Sequence, residues 1–187
     1  MPWCPSRMMG GSITMEMNAA PDVVWQVATD SENLTTILTN LLEYEEITKD
    51  VDFRTIGKVV RQKRIILGKE EENFITFTGV QEDSLPYSLT YNIYITLPKL
   101  GMTKDEAVRT GSWTIVQGEN EHKAVFIWTY SQIAGSLLES LATLFCGSCM
   151  IRSIQRHFQQ DLRDYAKEAE RRQSLKDKEI IADRSSI

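Results

Sequence analysis

Cys146-Gly147-Ser148-Cys149 is a C-x-x-C pair, the spacing of a redox dithiol or of half a zinc site. A redox dithiol wants a helix N-terminus, where the dipole lowers the pKa of the first thiol. Here the pair falls in mid-helix after several apolar turns, and Cys4, His122 and His157 stand at no metal-ligand spacing from it. Small-residue packing, or a bend at Gly147-Ser148, is therefore the expected role, with no metal and no cofactor; a redox role for Cys146 and Cys149 stays open. His122 follows Glu119-Asn120-Glu121 and reads as exposed, and His157 sits beside Phe158 on a flank rich in Arg and Gln. No Ser-His-Asp grouping, phosphate loop or dinucleotide glycine pattern is present. Acid-base chemistry would need a carboxylate inside a cavity, and Glu139 is the best candidate, with a solvated helix edge as its ordinary role. No catalytic residue is assigned, and the balance leans away from an enzyme.

These residues lie on or beside one long helical pattern, Gly135 to Arg172. Leu137, Leu141, Leu144, Ile151, Ile154, Phe158, Leu162 and Tyr165 recur at steps of three, four and seven, which makes one buried face. Upstream, Ser12 to Asn18 alternates as a strand. Ala20-Pro21-Asp22 starts a helix, and a second short one carries Leu34, Ile37 and Leu38. Six further strands are expected at Leu41 to Thr48, Lys58 to Leu67, Asn73 to Glu82, Tyr87 to Leu97, Val108 to Gln117 and Lys123 to Ser131. In Tyr87 to Leu97, Leu89, Tyr91 and Ile93 alternate with Ser88, Thr90 and Asn92, so one wet face is expected there. Met1 to Gly11 reads as a flexible arm, Ser12 to Arg172 as one domain, and residues 173–187 as a charged tail with little to bury.

A chain of 187 residues with formal net charge -5 and no basic stripe fits a single domain that does not bind nucleic acid. Three cysteines without a framework spacing and no apolar leader run point to the cytoplasm. Ala124 to Ile151 holds one charge, Glu139, but Ser131-Gln132 and Gly135 interrupt it, so a single spanning helix is disfavoured.

Ile13 to Leu34, with Ala19-Ala20-Pro21, Val24-Trp25 and Asp30, resembles the opening of the START-like (helix-grip, SRPBCC) superfamily, in particular its polyketide cyclase/dehydrase and lipid-transport branch. Ile56-Gly57-Lys58-Val59 is similar to that family's glycine before its third strand, and the long C-terminal helix completes the order. The resemblance implies an α+β helix-grip fold: a curved antiparallel sheet of about seven strands around a long C-terminal helix, with two short helices after the first strand. It also implies a cavity between sheet and helix that takes a hydrophobic small molecule or lipid. Brief membrane contact of the helix's apolar half would suit a lipid carrier. A cyclase or dehydratase using the same cavity and a chaperone-like interaction module are the alternatives.

The expected lining is the more apolar phase of each strand: Tyr44, Phe77, Leu89, Tyr91, Trp113, Phe126 and Trp128, with Leu141 and Phe145 from the helix. In Lys58 to Leu67 neither phase is free of polar residues, but Val60, Gln62, Arg64 and Ile66 carry fewer charges than Val59, Arg61, Lys63, Ile65 and Leu67. If this strand lines the cavity, as the resemblance implies, Gln62 and Arg64 face inward. Arg64 would then meet a ligand carboxylate, carbonyl or hydroxyl, or pair with an internal acid such as Glu82.

Overall fold

Alternating side chains need a cover for one face, and here a single sheet closes over a single long helix. The computed structural model describes residues 8–49, 55–66, 68–94, 109–133 and 137–185; the side chains of residues 8, 9, 132, 133, 137–151, 153, 154 and 183–185 lie outside that description. The elements run β1 (Met8–Met17), α1 (Pro21–Ala28), α2 (Leu34–Ile37), β2 (Leu41–Glu46), β3 (Val59–Ile66), β4 (Lys69–Gln81), β5 (Tyr87–Tyr94), β6 (Arg109–Gln117), β7 (Ala124–Ile133) and α3 (Leu137–Ser185). All strands pair antiparallel in the order β1-β7-β6-β5-β4-β3-β2, so β1 closes on β7 and β2 forms the other edge.

The inward phase is continuous across the sheet. Ile13 faces Trp128, Trp128 faces Trp113, Trp113 faces Leu89, and all four are buried. Against them α3 presents Phe158, Leu162, Tyr165 and Ala169, one helical stripe. Phe126 and Tyr165 stack with ring centroids 6.0 Å apart and 7° between planes. In β7, where Val125 and Ile127 compete with Phe126 and Trp128 for apolar character, Phe126, Trp128 and Tyr130 take the buried side. α1 buries Val23, Val24, Trp25, Val27 and Ala28. Gly68, at φ +77°, closes the hairpin between β3 and β4, a backbone conformation open mainly to glycine.

Four expectations change. The arm Met1 to Gly11 is shortened, because Gly10 and Gly11 already pair with Ser131 and Tyr130 in β1. A Cβ on Gly10 would stand 2.8 Å from the Tyr130 carbonyl oxygen, so only glycine lets the strands approach so closely. β4 starts at Lys69 rather than Asn73 because its acids find cations across the hairpin: Lys63 reaches Glu70 at 3.0 Å and Arg61 reaches Glu72 at 2.9 Å. The wet face of β5 ends at Thr90, since Asn92 and Tyr94 are buried on the same side and the Asn92 amide reaches the Tyr94 hydroxyl.

The fourth change is the tail, residues 173–187, which continues α3 through Ser185. Gln173 is buried and its Oε1 accepts from the Ala20 N–H at 3.2 Å, the residue that precedes α1. Lys176 meets Asp22 at 3.1 Å, and Arg172 meets Asp30 at 2.5 Å. Composition alone missed this because the partners are polar groups of α1 and its flanks, not an apolar face.

Candidate functional site

Between the concave sheet face and α3 lies a cavity of about 60 Å³. β3 contributes Gln62, Arg64 and Ile66; β4 contributes Asn73, Ile75 and Phe77; β5 contributes Tyr91 and Ile93. Arg109 and Trp113 come from β6, Trp128 from β7, Phe158 and Tyr165 from α3, and Leu34 and Leu38 close the side towards α2. Aromatic rings make much of the wall: Trp113 meets Tyr91, Trp128 and Tyr165 edge-on, and Trp128 lies 4.4 Å from Phe158 between centroids.

One ion pair ties this wall to α3, with Arg64 among the lining residues and Asp161 buried outside them. Arg64 on β3 and Asp161 on α3 are 8% and 0% exposed, and Arg64 Nη2 donates to Asp161 Oδ2 at 2.5 Å. Among the described residues, Arg64 Nε and Asp161 Oδ1 have no hydrogen-bond partner. Two charges at this depth are tolerated only because they meet each other, and removing either would strand the other. The partner is therefore Asp161, not Glu82, whose carboxylate instead receives the Trp25 indole N–H at 3.4 Å.

Polar groups gather around the pair. The Trp128 indole donates to the Tyr91 hydroxyl at 2.6 Å. Gly111, opposite Tyr91 in β6, leaves room for that phenol, since a Cβ there would fall on the Tyr91 hydroxyl and ring. Burial pushes the Tyr91 and Tyr165 phenols up, so both stay protonated. His157, one turn before Asp161 on α3, is half-buried with Nε2 unpaired among the described residues. Burial pushes its imidazole down; Asp161 and Glu71 oppose that shift, while Arg64 and Arg109 reinforce it. Arg109, with its side chain 28% exposed, pairs with Glu71 at 3.5 Å and marks the side on which the cavity nears solvent.

Of the residues expected from sequence to bind a ligand, Gln62, Arg64, Phe77, Tyr91, Trp113 and Trp128 come together on this cavity. Leu89 and Phe126 are fully buried core and do not line it, and Tyr44 packs against that core from β2. The side chains of Leu141, Phe145, Glu139, Cys146 and Cys149 lie outside the described residues. The two cysteines do fall well inside α3, far from its first residue Leu137. His122 is exposed, in a turn beside Glu121. Asp161 went unnoticed in the sequence, although the spacing holds a signal: it is three residues after Phe158 and four before Tyr165, on the face the stripe defines.

Larger hollows lie elsewhere and lack this combination. One of about 490 Å³ covers the outer sheet face and is lined largely by Thr and Ser hydroxyls, among them Thr90, Thr110 and Ser112. Another, of about 630 Å³, lies between α2 and α3 over Asp164, Lys167 and Arg171; Asp164 accepts from the Thr39 N–H and Arg171 pairs with Glu168. Neither has apolar walls around a buried charge, the arrangement that holds a small molecule in one orientation. No helix among the described residues is long and apolar enough to cross a membrane.

No family model and no curated protein sequence matches the chain. Solved structures do. The Zhui aromatase/cyclase from a Streptomyces species superposes with TM-score 0.65 at 19% identity, covering 89% of this chain and 96% of that one. Norcoclaurine synthase from Thalictrum flavum gives TM-score 0.60 at 12% identity over 89% and 96% of the two chains. A START superfamily protein from Mycobacterium smegmatis gives 0.56 at 12% identity over 89% and 97%. At such identities the likeness is one of fold, and with the seven-stranded sheet and long closing helix it establishes that this chain has the START/polyketide cyclase-like helix-grip fold.

Proposed function

We propose that the protein binds a small, ring-bearing apolar molecule in the cavity between sheet and α3, with Arg64 and Asp161 as its polar anchor. The observation that carries this reading is the pair itself: Arg64 on the cavity wall and its α3 partner Asp161 are buried and oppositely charged, and each keeps one buried atom without a hydrogen-bond partner among the described residues. Burying such a pair contributes little to stability compared with well-packed apolar residues, so a binding role accounts for it better than a structural one does. The fold supports the reading, since structures that share it include an aromatase/cyclase and a norcoclaurine synthase. At about 60 Å³ the cavity is smaller than the roughly 150 Å³ that takes a benzene ring, so even a single-ring ligand requires the walls to part.

The same geometry favours a second reading, catalysis of the cyclase or dehydratase kind. Asp161 Oδ1 could take a proton from a carbon next to a carbonyl while Arg64 steadies the oxyanion that forms. Exchange of such protons in a small ketone, lost in Asp161→Asn, would distinguish catalysis from binding alone.

Binding is tested by adding toluene and following the indole N–H signals by NMR. Trp113 and Trp128 line the cavity, whereas Trp25 lies outside it and serves as the control. Saturable shifts at Trp113 and Trp128 with Trp25 unmoved are expected; no shift, or equal shifts at all three, would refute the reading.

A further inference from the structure

Resting on the reading that the cavity takes a small ring-bearing molecule, we infer that its anchor selects a neutral hydroxyl group, of an alcohol or phenol, and rejects carboxylates. Nε and Nη2 share one edge of a guanidinium and point two parallel N–H bonds from it, the edge that ordinarily grips both oxygens of a carboxylate. In this protein the grip is single. Nη2 donates to Asp161 Oδ2 at 2.5 Å, while Arg64 Nε and Asp161 Oδ1 find no partner among the described residues. Both atoms are closed off from the cavity as it stands and become reachable only as its walls part for a ring; leaving a buried donor and a buried acceptor unpaired is costly, so a group that then satisfies both gains from both.

A hydroxyl does this with one oxygen, accepting from Nε–H and donating to Oδ1. A carboxylate has no proton for Oδ1 and would set a second negative charge beside Asp161 in surroundings that keep out water. The charges of the site agree. Arg64 is already balanced by Asp161, and Arg109, the other cation on the cavity wall, is paired with Glu71. His157 is held neutral by burial. Among the described residues lining the cavity no unbalanced cation awaits an anion, although an arginine facing an apolar cavity would by itself suggest one. The body of the ligand is set by Trp113, Trp128 and Phe158, which offer ring edges and faces.

The test compares toluene, benzyl alcohol and benzoate on the full chain at about pH 7, where benzoate carries the charge of an ordinary carboxylate. NMR titration of the Trp113 and Trp128 indole signals gives the three affinities. Benzyl alcohol is expected to bind about tenfold or more tighter than toluene, and benzoate more weakly than toluene. Benzoate binding as tightly as benzyl alcohol, or benzyl alcohol binding no tighter than toluene, overturns the inference and leaves the cavity reading standing. Failure of both toluene and benzyl alcohol to bind removes that reading, and the inference with it. In Asp161→Asn the order reverses, benzoate becoming tighter than toluene because Arg64 is then uncompensated; an unreversed order in the folded variant also overturns the inference. If that variant does not fold, the three-probe series on the native chain decides alone.

Discussion

Asp161 changes what Arg64 means. Read from sequence, Arg64 was an inward cation awaiting a ligand group or an internal acid; in the structure its charge is answered by an acid on α3. Arg64→Met therefore leaves a buried, unpaired carboxylate and is expected to cost about 3–5 kcal/mol in urea unfolding. Arg64→Met combined with Asp161→Leu, which removes both charges, should recover most of that loss. A single variant as stable as the double would show that the pair is not buried as described. The pair was half legible: alternation in β3 put Arg64 on the inward phase, but an acid within an apolar helical stripe was passed over because the stripe was read from its hydrophobic members alone.

His157 carries a consequence for pH. Its folded-state pKa is lowered from 6.5 mainly by burial, with Arg64 and Arg109 reinforcing the shift and Asp161 and Glu71 opposing it. A depressed pKa means that the unfolded chain binds the proton first as pH falls. The contribution to stability is thus present above about pH 6.5 and is lost as pH falls towards the folded value. Urea unfolding of His157→Gln should lose less stability than the native chain between about pH 7 and pH 5. Identical slopes would mean that His157 is not desolvated.

At the scale of elements, the second half of α3 is fixed by polar contacts with the flanks of α1 and α2. Gln173 Oε1 takes the Ala20 N–H, Asn18 Nδ2 reaches Glu170 at 3.0 Å, and the Thr39 N–H donates to Asp164 at 2.8 Å. Glu168 holds the local cations together; hydrogen bonds from Arg171, then Arg172, keep its carboxyl at about 2, and Arg172 goes on to Asp30. Gln173→Ala should cost about 0.5–1.5 kcal/mol, because the part-buried Ala20 N–H loses its acceptor. Truncation after Arg172 should lower the melting temperature by several degrees. An unchanged melting curve for the truncated chain would show that the helix beyond Arg172 does not dock.

The strands were legible wherever one face alternated cleanly, as in β5 up to Thr90 and in β6. They were misjudged where charge pairing replaced apolar alternation, at Lys69 to Glu72, and where glycines allowed close approach, at Gly10 and Gly11. The element order from β1 to α3 was readable because each element carries its own local period. Pairings between distant polar groups carry none, so the contacts of Gln173, Asp161 and Asp164 appear only once the chain is folded.

At the scale of the molecule, a curved sheet and one long helix leave between them a small, largely aromatic and aliphatic space into which Gln62, Asn73, Arg64 and Arg109 bring the polar groups. The sheet order brings β3, β6 and β7 to one concave face, so Arg64, Trp113 and Trp128 line one cavity, and α3 laid over that face brings Asp161 to Arg64. The most direct test is a high-resolution crystal structure of the full chain grown with benzyl alcohol. The ring should lie among Trp113, Trp128 and Phe158, with its hydroxyl oxygen within about 3 Å of both Arg64 Nε and Asp161 Oδ1. An unfilled cavity, or a ring seated on the outer sheet face or between α2 and α3, would contradict a ligand site anchored by Arg64 and Asp161.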